Sequence, residues 1–194
     1  MAWMGIDPAM KPQRIVVAIG PALGGKSTFC NHIADYATFS FASPLYHMLA
    51  IVAGAEVVHD ARKANQKGDP IPELSGKSLR EGLQTLGTEW GRTLIGEDVW
   101  INHLVRRATG APRIAIDDLR FPNEYEEMRR RGAVFVRLLP FAALRKDGWQ
   151  GHSSESHWRT FKVHKEVQWN TREDLISAAR EFRPADYIGI EPSV

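Results

Sequence analysis

Apolar positions along the chain fall into short continuous runs separated by stretches of helical spacing. Arg14-Ile-Val-Val-Ala-Ile19 is an apolar run of the length of a strand buried on both faces. Helical spacing follows over 27–37, then a short strand over 38–41 and a helix over 44–54 with Pro44 in its first turn. Residues 59–77 mix His, Asp, Lys, Gln, Gly and Pro without an apolar period, which predicts an exposed excursion. Ser78, with Glu81 three positions on, forms a capping box that opens a helix over 78–92. Leu79, Leu83, Leu86 and Trp90 share one face of that helix, and Arg80, Gln84 and Thr88 share another.

The second half repeats the alternation. A helix is predicted over 97–108, a strand over 113–117, and a helix over 122–131. That last helix carries Glu126–Arg130 and Glu127–Arg131 at four-residue spacing and stops at Gly132. A strand is predicted over 133–137, a long irregular polar segment over 140–165, and a short strand over 167–169. Asn170, with Glu173 three positions on, is expected to cap the last helix. Short apolar strands alternating with helices predict an α/β fold with a parallel sheet covered on both faces. There is no internal repeat and no interdomain linker, so one domain is expected over 13–194 behind a tail at 1–12. Segments 59–77 and 140–165 are longer than plain connectors and are expected to be a substrate flap and a lid.

Composition narrows the classes. A chain of 194 residues suits one well-buried α/β core. The formal net charge of +2 accommodates anionic substrates and argues against a nucleic-acid surface. Cys30, the single cysteine, excludes an intrachain disulfide and points to a reducing compartment. No apolar run has the length of a membrane span and no signal peptide is evident, which makes the cytoplasm the expected location. His32, His47, His59 and His103 lack metal-ligand spacing.

The chemistry lies in Gly20-Pro-Ala-Leu-Gly-Gly-Lys-Ser-Thr28, which fits the phosphate-loop pattern G-x-x-x-x-G-K-[ST] between a predicted strand and a predicted helix. Backbone N–H groups at such a junction converge on one anion, and Gly20, Gly24 and Gly25 let phosphate oxygens approach. Leu23 and Thr28 belong to the same ATP-binding stretch. Lys26 is expected at the terminal phosphates and the Ser27 hydroxyl on Mg²⁺. The strand Ile114-Ala-Ile116 leads into Asp117-Asp118, carboxylates suited to Mg²⁺ or its waters. Alternation puts those two on opposite sides, so one of them is expected to face the nucleotide. Arg120, two residues on, stands where a bidentate grip on phosphate is useful.

Ser78-Leu-Arg80-Glu-Gly-Leu-Gln84-Thr-Leu-Gly87-Thr88-Glu-Trp90-Gly-Arg92 resembles the signature helix of phage-type deoxynucleoside monophosphate kinases. Phe41-Ala-Ser-Pro44-Leu45, Asp118-Leu-Arg120-Phe-Pro-Asn-Glu124, Gly132-Ala-Val-Phe-Val-Arg137 and His152-Ser-Ser-Glu155 resemble that family's other blocks, in family order. Three positions depart from it: Ser27 where the family often has Asp, Tyr46-His47 where a Lys is frequent, and no Asp-Gly before the last helix. The resemblance implies a P-loop three-layer α/β/α fold with a five-stranded, mostly parallel sheet of the nucleoside monophosphate kinase type. It also implies ATP as co-substrate with Mg²⁺, transfer to a deoxynucleoside monophosphate, and a host-cytoplasm setting if phage-encoded.

Residue roles follow from chemistry and resemblance together. Lys26, Asp118 and Arg120 are the expected catalytic residues, with Asp117 the alternative metal ligand beside Ser27. Arg80 and Arg120 would grip the acceptor phosphate, while Gln84 or Thr88 reads a base edge; the alternative for the last two is a solvated helix face. Trp100 aligns with an aromatic position near the base site, or is a core residue. Arg137, Arg145, His152 and Glu155 are assigned to the ATP side and its lid. Small-molecule nucleotides are the expected partners, and a homodimer stays open. Two other functions fit the loop: a kinase acting on a nucleotide or modified base within DNA, and a nucleotide-gated ATPase or binding module.

Overall fold

The computed structural model describes residues 13–63, 66–141 and 157–193. The chain divides into two compact units, Phe41–Arg107 and the remainder. Five strands make one all-parallel sheet in the remainder: β1 (Arg14–Ile19), β2 (Ala37–Phe39), β3 (Arg113–Ile116), β4 (Val134–Pro140) and β5 (Lys165–Trp169). Their order is β2-β3-β1-β4-β5. The expected α/β fold with a parallel five-stranded sheet is therefore what the chain forms.

β1 is central because five of its six residues are apolar and fully covered. It pairs with β3 from Arg14 opposite Arg113 to Val17 opposite Ile116, and with β4 from Val16 opposite Val134 to Ile19 opposite Arg137. Side chains alternate across a strand, so successive residues serve opposite layers. Val16, Ala18, Ala115, Val136 and Leu138 pack with Phe29, Cys30 and Ile33 of one layer and with Leu175 and Ala179. That layer is α1 (Lys26–His32) together with the last helix, Arg172–Glu181. On the opposite face Phe135 meets Tyr125, with ring centroids 4.5 Å apart, and Tyr125 stacks on Phe161 at 4.7 Å. Tyr125 belongs to the helix Pro122–Arg130. Helix, sheet and helix thus form three layers.

The other unit is helical. It holds α2 (Ser43–Ala53), α3 (Ala55–Lys63), α4 (Leu79–Gln84), a π-helical segment (Thr85–Ile95) and α5 (Val99–Arg107), which makes Pro122–Arg130 α6 and Arg172–Glu181 α7. Leu49, Ala53, Val58, Ile71 and Leu79 form its core, flanked by Tyr46, Leu83 and Leu86. The Ser78 capping box is present: its hydroxyl accepts from the Glu81 N–H at 3.2 Å while Glu81 accepts from the Ser78 N–H at 2.8 Å.

Several boundaries differ from expectation, each for a local reason. α1 ends at His32 rather than 37, because Asp35 turns with φ 64 and the chain is extended again by Ala37. Residues 59–63 belong to α3; only Val58 of that helix is buried, which leaves too little apolar period to recognise. The last helix is capped by Thr171 and Asp174, not Asn170 and Glu173. Asp174 accepts from the N–H groups of both Thr171 (3.0 Å) and Asn170 (3.2 Å), which Glu173 does not. Glu126 pairs with Arg129 (3.1 Å), and Arg130 goes to Glu127 (2.6 Å) instead. β4 and β5 extend to Pro140 and from Lys165, into the segment expected to be irregular.

The expected 78–92 helix is α-helical only to Gln84 and then widens. In the widened part the Gly96 N–H bonds to the Gly91 carbonyl five residues back, at 2.9 Å. Trp100 sits against this stretch: its indole N–H donates to the Gly87 carbonyl at 2.8 Å. A Cβ added at Gly91 would lie 2.3 Å from the Trp100 ring. A side chain that inserts at a helix and takes one of its carbonyls is a recognised cause of such local widening. Gly91→Ala is therefore expected to lower stability by about 1–3 kcal/mol through overpacking. Urea unfolding measures it, and an unchanged midpoint would show that the indole is not wedged there.

Candidate functional site

The phosphate loop leaves the C-terminal end of β1, the most enclosed strand of the sheet. Leu23 takes a left-handed φ of 59 with its side chain exposed, and the Gly24 N–H closes the turn onto the Pro21 carbonyl at 3.0 Å. Gly25 follows with φ 80, where a Cβ would lie 2.3 Å from Leu175 and 3.1 Å from Trp169. The N–H groups of Ser27 and Thr28 belong to a first helical turn, whose donors fall outside the helix's own ladder. α1 has only seven residues, so its dipole adds less than the predicted 27–37 helix would have. Anion binding here rests on loop amides and on Lys26.

Lys26 is held over its own loop. Its ammonium donates to the carbonyls of Gly20 (3.0 Å) and Pro21 (2.6 Å). Those bonds keep the charge at the loop mouth while leaving the side chain half-exposed.

The two aspartates differ in environment. Asp117 is buried and accepts from the Ser40 hydroxyl at 2.6 Å, while its own N–H reaches the Phe39 carbonyl at 3.4 Å. Asp118 is half-buried. Cys30, fully buried in α1, reports on all three charged groups. Burial pushes its thiol well above the ordinary range, the Asp117 carboxylate and then Asp118 add to that, and Lys26 opposes it. One buried atom of α1 thus lies within electrostatic reach of Lys26, Asp117 and Asp118 together. The pairing of β1 with β3 sets the phosphate loop and the two carboxylates at neighbouring strand ends.

Mg²⁺ takes oxygen ligands and is usually held by one or two carboxylates plus phosphate oxygens. Ser27, Asp117 and Asp118 are a hard oxygen set that fits it. Among the described residues no three His, Cys, Asp or Glu side chains gather as a metal cluster.

Arg120 has an exposed side chain on a fixed backbone. Glu124, buried at 2% exposure, accepts from the N–H groups of Arg120 (2.8 Å) and Phe121 (3.0 Å). Neither Glu124 nor Ser40 was expected to serve the site. For Glu124 the signal is legible: Pro122 opens the helix and an acid follows two positions later. For Ser40 no sequence signal exists, since its role depends on β2 lying beside β3.

In the helical unit, Arg80, Gln84 and Thr88 are all exposed, and Thr88 uses its carbonyl to accept from the Thr93 hydroxyl at 3.1 Å. Trp100 is a core residue at 6% exposure with its indole N–H taken, so the core alternative is the one that holds. What approaches Gly87 closely is Leu45, whose Cδ1 would lie 3.1 Å from an added Cβ, while the indole takes the Gly87 carbonyl. Arg137 differs from expectation: its guanidinium donates to the Glu166 carboxylate and to the Phe161 carbonyl, which ties β4 to β5 and to the segment before it. Two such partners in a site 11% exposed make it a structural tether rather than an ATP contact. Arg145, His152 and Glu155 lie outside the described residues, as does most of the expected lid. No helix among the described residues is long and apolar enough to cross a membrane.

No protein-family model matches the chain, and no curated protein matches it. A solved, unliganded sugar kinase from Janibacter sp. HTCC2649 is similar over 87% of this chain and 92% of that one, at 17% identity and a TM-score of 0.39. A likeness that loose carries no weight for fold or activity. The class assignment rests on the parallel sheet, its strand order, and a phosphate loop at the end of the central strand.

Glu124→Ala is expected to destabilise the protein by about 1–3 kcal/mol, because the Arg120 and Phe121 N–H groups lose a buried acceptor. Thermal or urea unfolding reads this directly. An unchanged stability would mean those amides find water without penalty.

Proposed function

We propose that this protein is a phosphotransferase that moves the terminal phosphoryl group of ATP to a deoxynucleoside monophosphate. The observation that supports the reading is the order of the sheet, which sets the phosphate loop after β1 beside the end of β3, where Asp117 and Asp118 follow. Transfer between two anions needs charge neutralisation and alignment more than a strong base. Lys26 supplies a fixed cation at the β- and γ-phosphates, and the Ser27 and Thr28 amides supply further donors. Ser27 with Asp118 or Asp117 would hold Mg²⁺, whose chemistry is to offset charge on the phosphates. Asp117 is buried and accepts from Ser40, and half-buried Asp118 is the more accessible of the two to a ligand.

The acceptor side is the part that rests on family resemblance. Arg80 and Arg120 are assigned to the monophosphate, and Gln84 and Thr88 to the base edge. The exposure of Arg80, Gln84, Thr88 and Arg120 supports this, since a ligand-facing group must be reachable. Trp100 acts on that helix only as its packing support.

The experiment is a coupled assay of ADP release with Mg·ATP and a panel of nucleoside monophosphates. Release that depends on a deoxynucleoside monophosphate is expected; release independent of any acceptor would instead mark an ATPase. Lys26→Ala should reduce turnover on the order of 10²–10³ while leaving the fold intact. A folded variant that keeps more than about a tenth of wild-type turnover would remove Lys26 from the chemistry. Arg80→Ala and Arg120→Ala should raise the Michaelis constant for the monophosphate far more than that for ATP, each contact being worth roughly 1.5–3 kcal/mol. The opposite split would place these arginines on the ATP side.

A further inference from the structure

In the helical unit two cations gather at one tyrosine, a grouping that the phosphate loop does not explain. Tyr46 of α2 has two cations on it: the Arg62 guanidinium lies 4.7 Å from its ring centroid and the Lys67 ammonium 5.4 Å from the same point. The Lys67 ammonium also donates to the Tyr46 phenol oxygen at 2.9 Å. The Lys67 carbonyl accepts from the Arg80 N–H at 2.8 Å, which ties the start of α4 to the same place. Several cations elsewhere have partners: Lys77 with Glu81, Arg113 with Asp35, and Arg129, Arg130 and Arg131 with Glu126 and Glu127. Among the described residues no ion pair includes Arg62, Lys67 or Arg80.

Arg62 against the ring and Lys67 at the phenol oxygen are like charges gathered at one side chain, and they repel each other. An anion between them would offset that repulsion. The donors for it are present. Lys67 spends one of its three protons on Tyr46, Arg62 keeps a planar fork, and a phenol that accepts from Lys67 still has its own O–H to donate. Tyr46 and Lys67 are half-buried and Arg62 is exposed, so solvent-borne ligands reach the group. A phosphate monoester, with up to two negative charges and three terminal oxygens, matches an ammonium, a guanidinium and a phenol better than a carboxylate does.

We propose that Tyr46, Arg62 and Lys67 form an anion site for the phosphate of a phosphate monoester. Identifying that monoester as the acceptor rests on the phosphotransferase reading above; the anion site itself does not.

Calorimetric titration of the full chain without ATP tests it, using the deoxynucleoside monophosphates, inorganic phosphate, and the unphosphorylated nucleosides. Lys67→Met and Arg62→Ala should each weaken monophosphate binding about tenfold to a hundredfold, with Tyr46→Phe weaker in effect and Lys67→Arg restoring most of the affinity. Nucleoside binding should not change. Unchanged monophosphate and phosphate affinities in Lys67→Met and Arg62→Ala would overturn the site, and a lowered melting temperature in those same variants would then identify Lys67 as a strut. Lys67-dependent phosphate binding to which the nucleoside part adds nothing would keep the site and overturn its assignment to the acceptor. Lys67-dependent monophosphate binding with no transfer from ATP would keep the site and overturn the phosphotransferase reading. Undiminished transfer and affinity in all the variants would do the reverse.

Discussion

Gly25 has no room for a side chain, and the candidate site depends on that. Its backbone turns at φ 80 with Leu175 and the Trp169 ring pressed to within 2.3 and 3.1 Å of where a Cβ would be. Leu175 is itself locked in the core with Phe29 and Cys30 of α1. The turn that aims the loop amides is therefore held by β5 and α7, elements from the far end of the chain. Only glycine satisfies both the left-handed backbone and the contact. A loop braced in this way is preorganised before any anion arrives, so binding does not have to order it.

The same sheet gathers the acids. β1 sits between β3 and β4, and β2 lies beyond β3, so the ends of β1, β3 and β2 are neighbours. Gly20, Asp117 and Ser40 follow those three ends. Burying the Asp117 carboxylate would be costly alone; the Ser40 hydroxyl offsets part of that cost. The backbone after β3 is then fixed by Glu124, which accepts from the Arg120 and Phe121 N–H groups. The site is an outcome of strand order as much as of the motif.

Much of this was legible in the sequence. The apolar run Arg14–Ile19 located the central strand, the glycine-lysine loop behind it marked the candidate site, and the alternation of strands and helices indicated a parallel sheet. Ser78 with Glu81 gave a helix start to the residue. What was hidden depends on distant partners. The π-helical widening arises from Trp100 meeting Gly87 and Gly91, and no local pattern announces it. Arg137 was expected on the ATP side, but its two terminal nitrogens donate to Glu166 and to the Phe161 carbonyl. Ser40 became meaningful only through sheet order. The cations on Tyr46 come from a stretch whose polar composition gave no period to read.

The central claim is that a phosphoryl group held at the phosphate loop moves to a second nucleotide. The direct measurement follows the terminal phosphoryl group itself, with γ-labelled ATP, Mg²⁺ and each deoxynucleoside monophosphate. The account predicts label in a deoxynucleoside diphosphate, formed in step with ADP. Label found only in inorganic phosphate, at the same rate with and without a monophosphate, would contradict it.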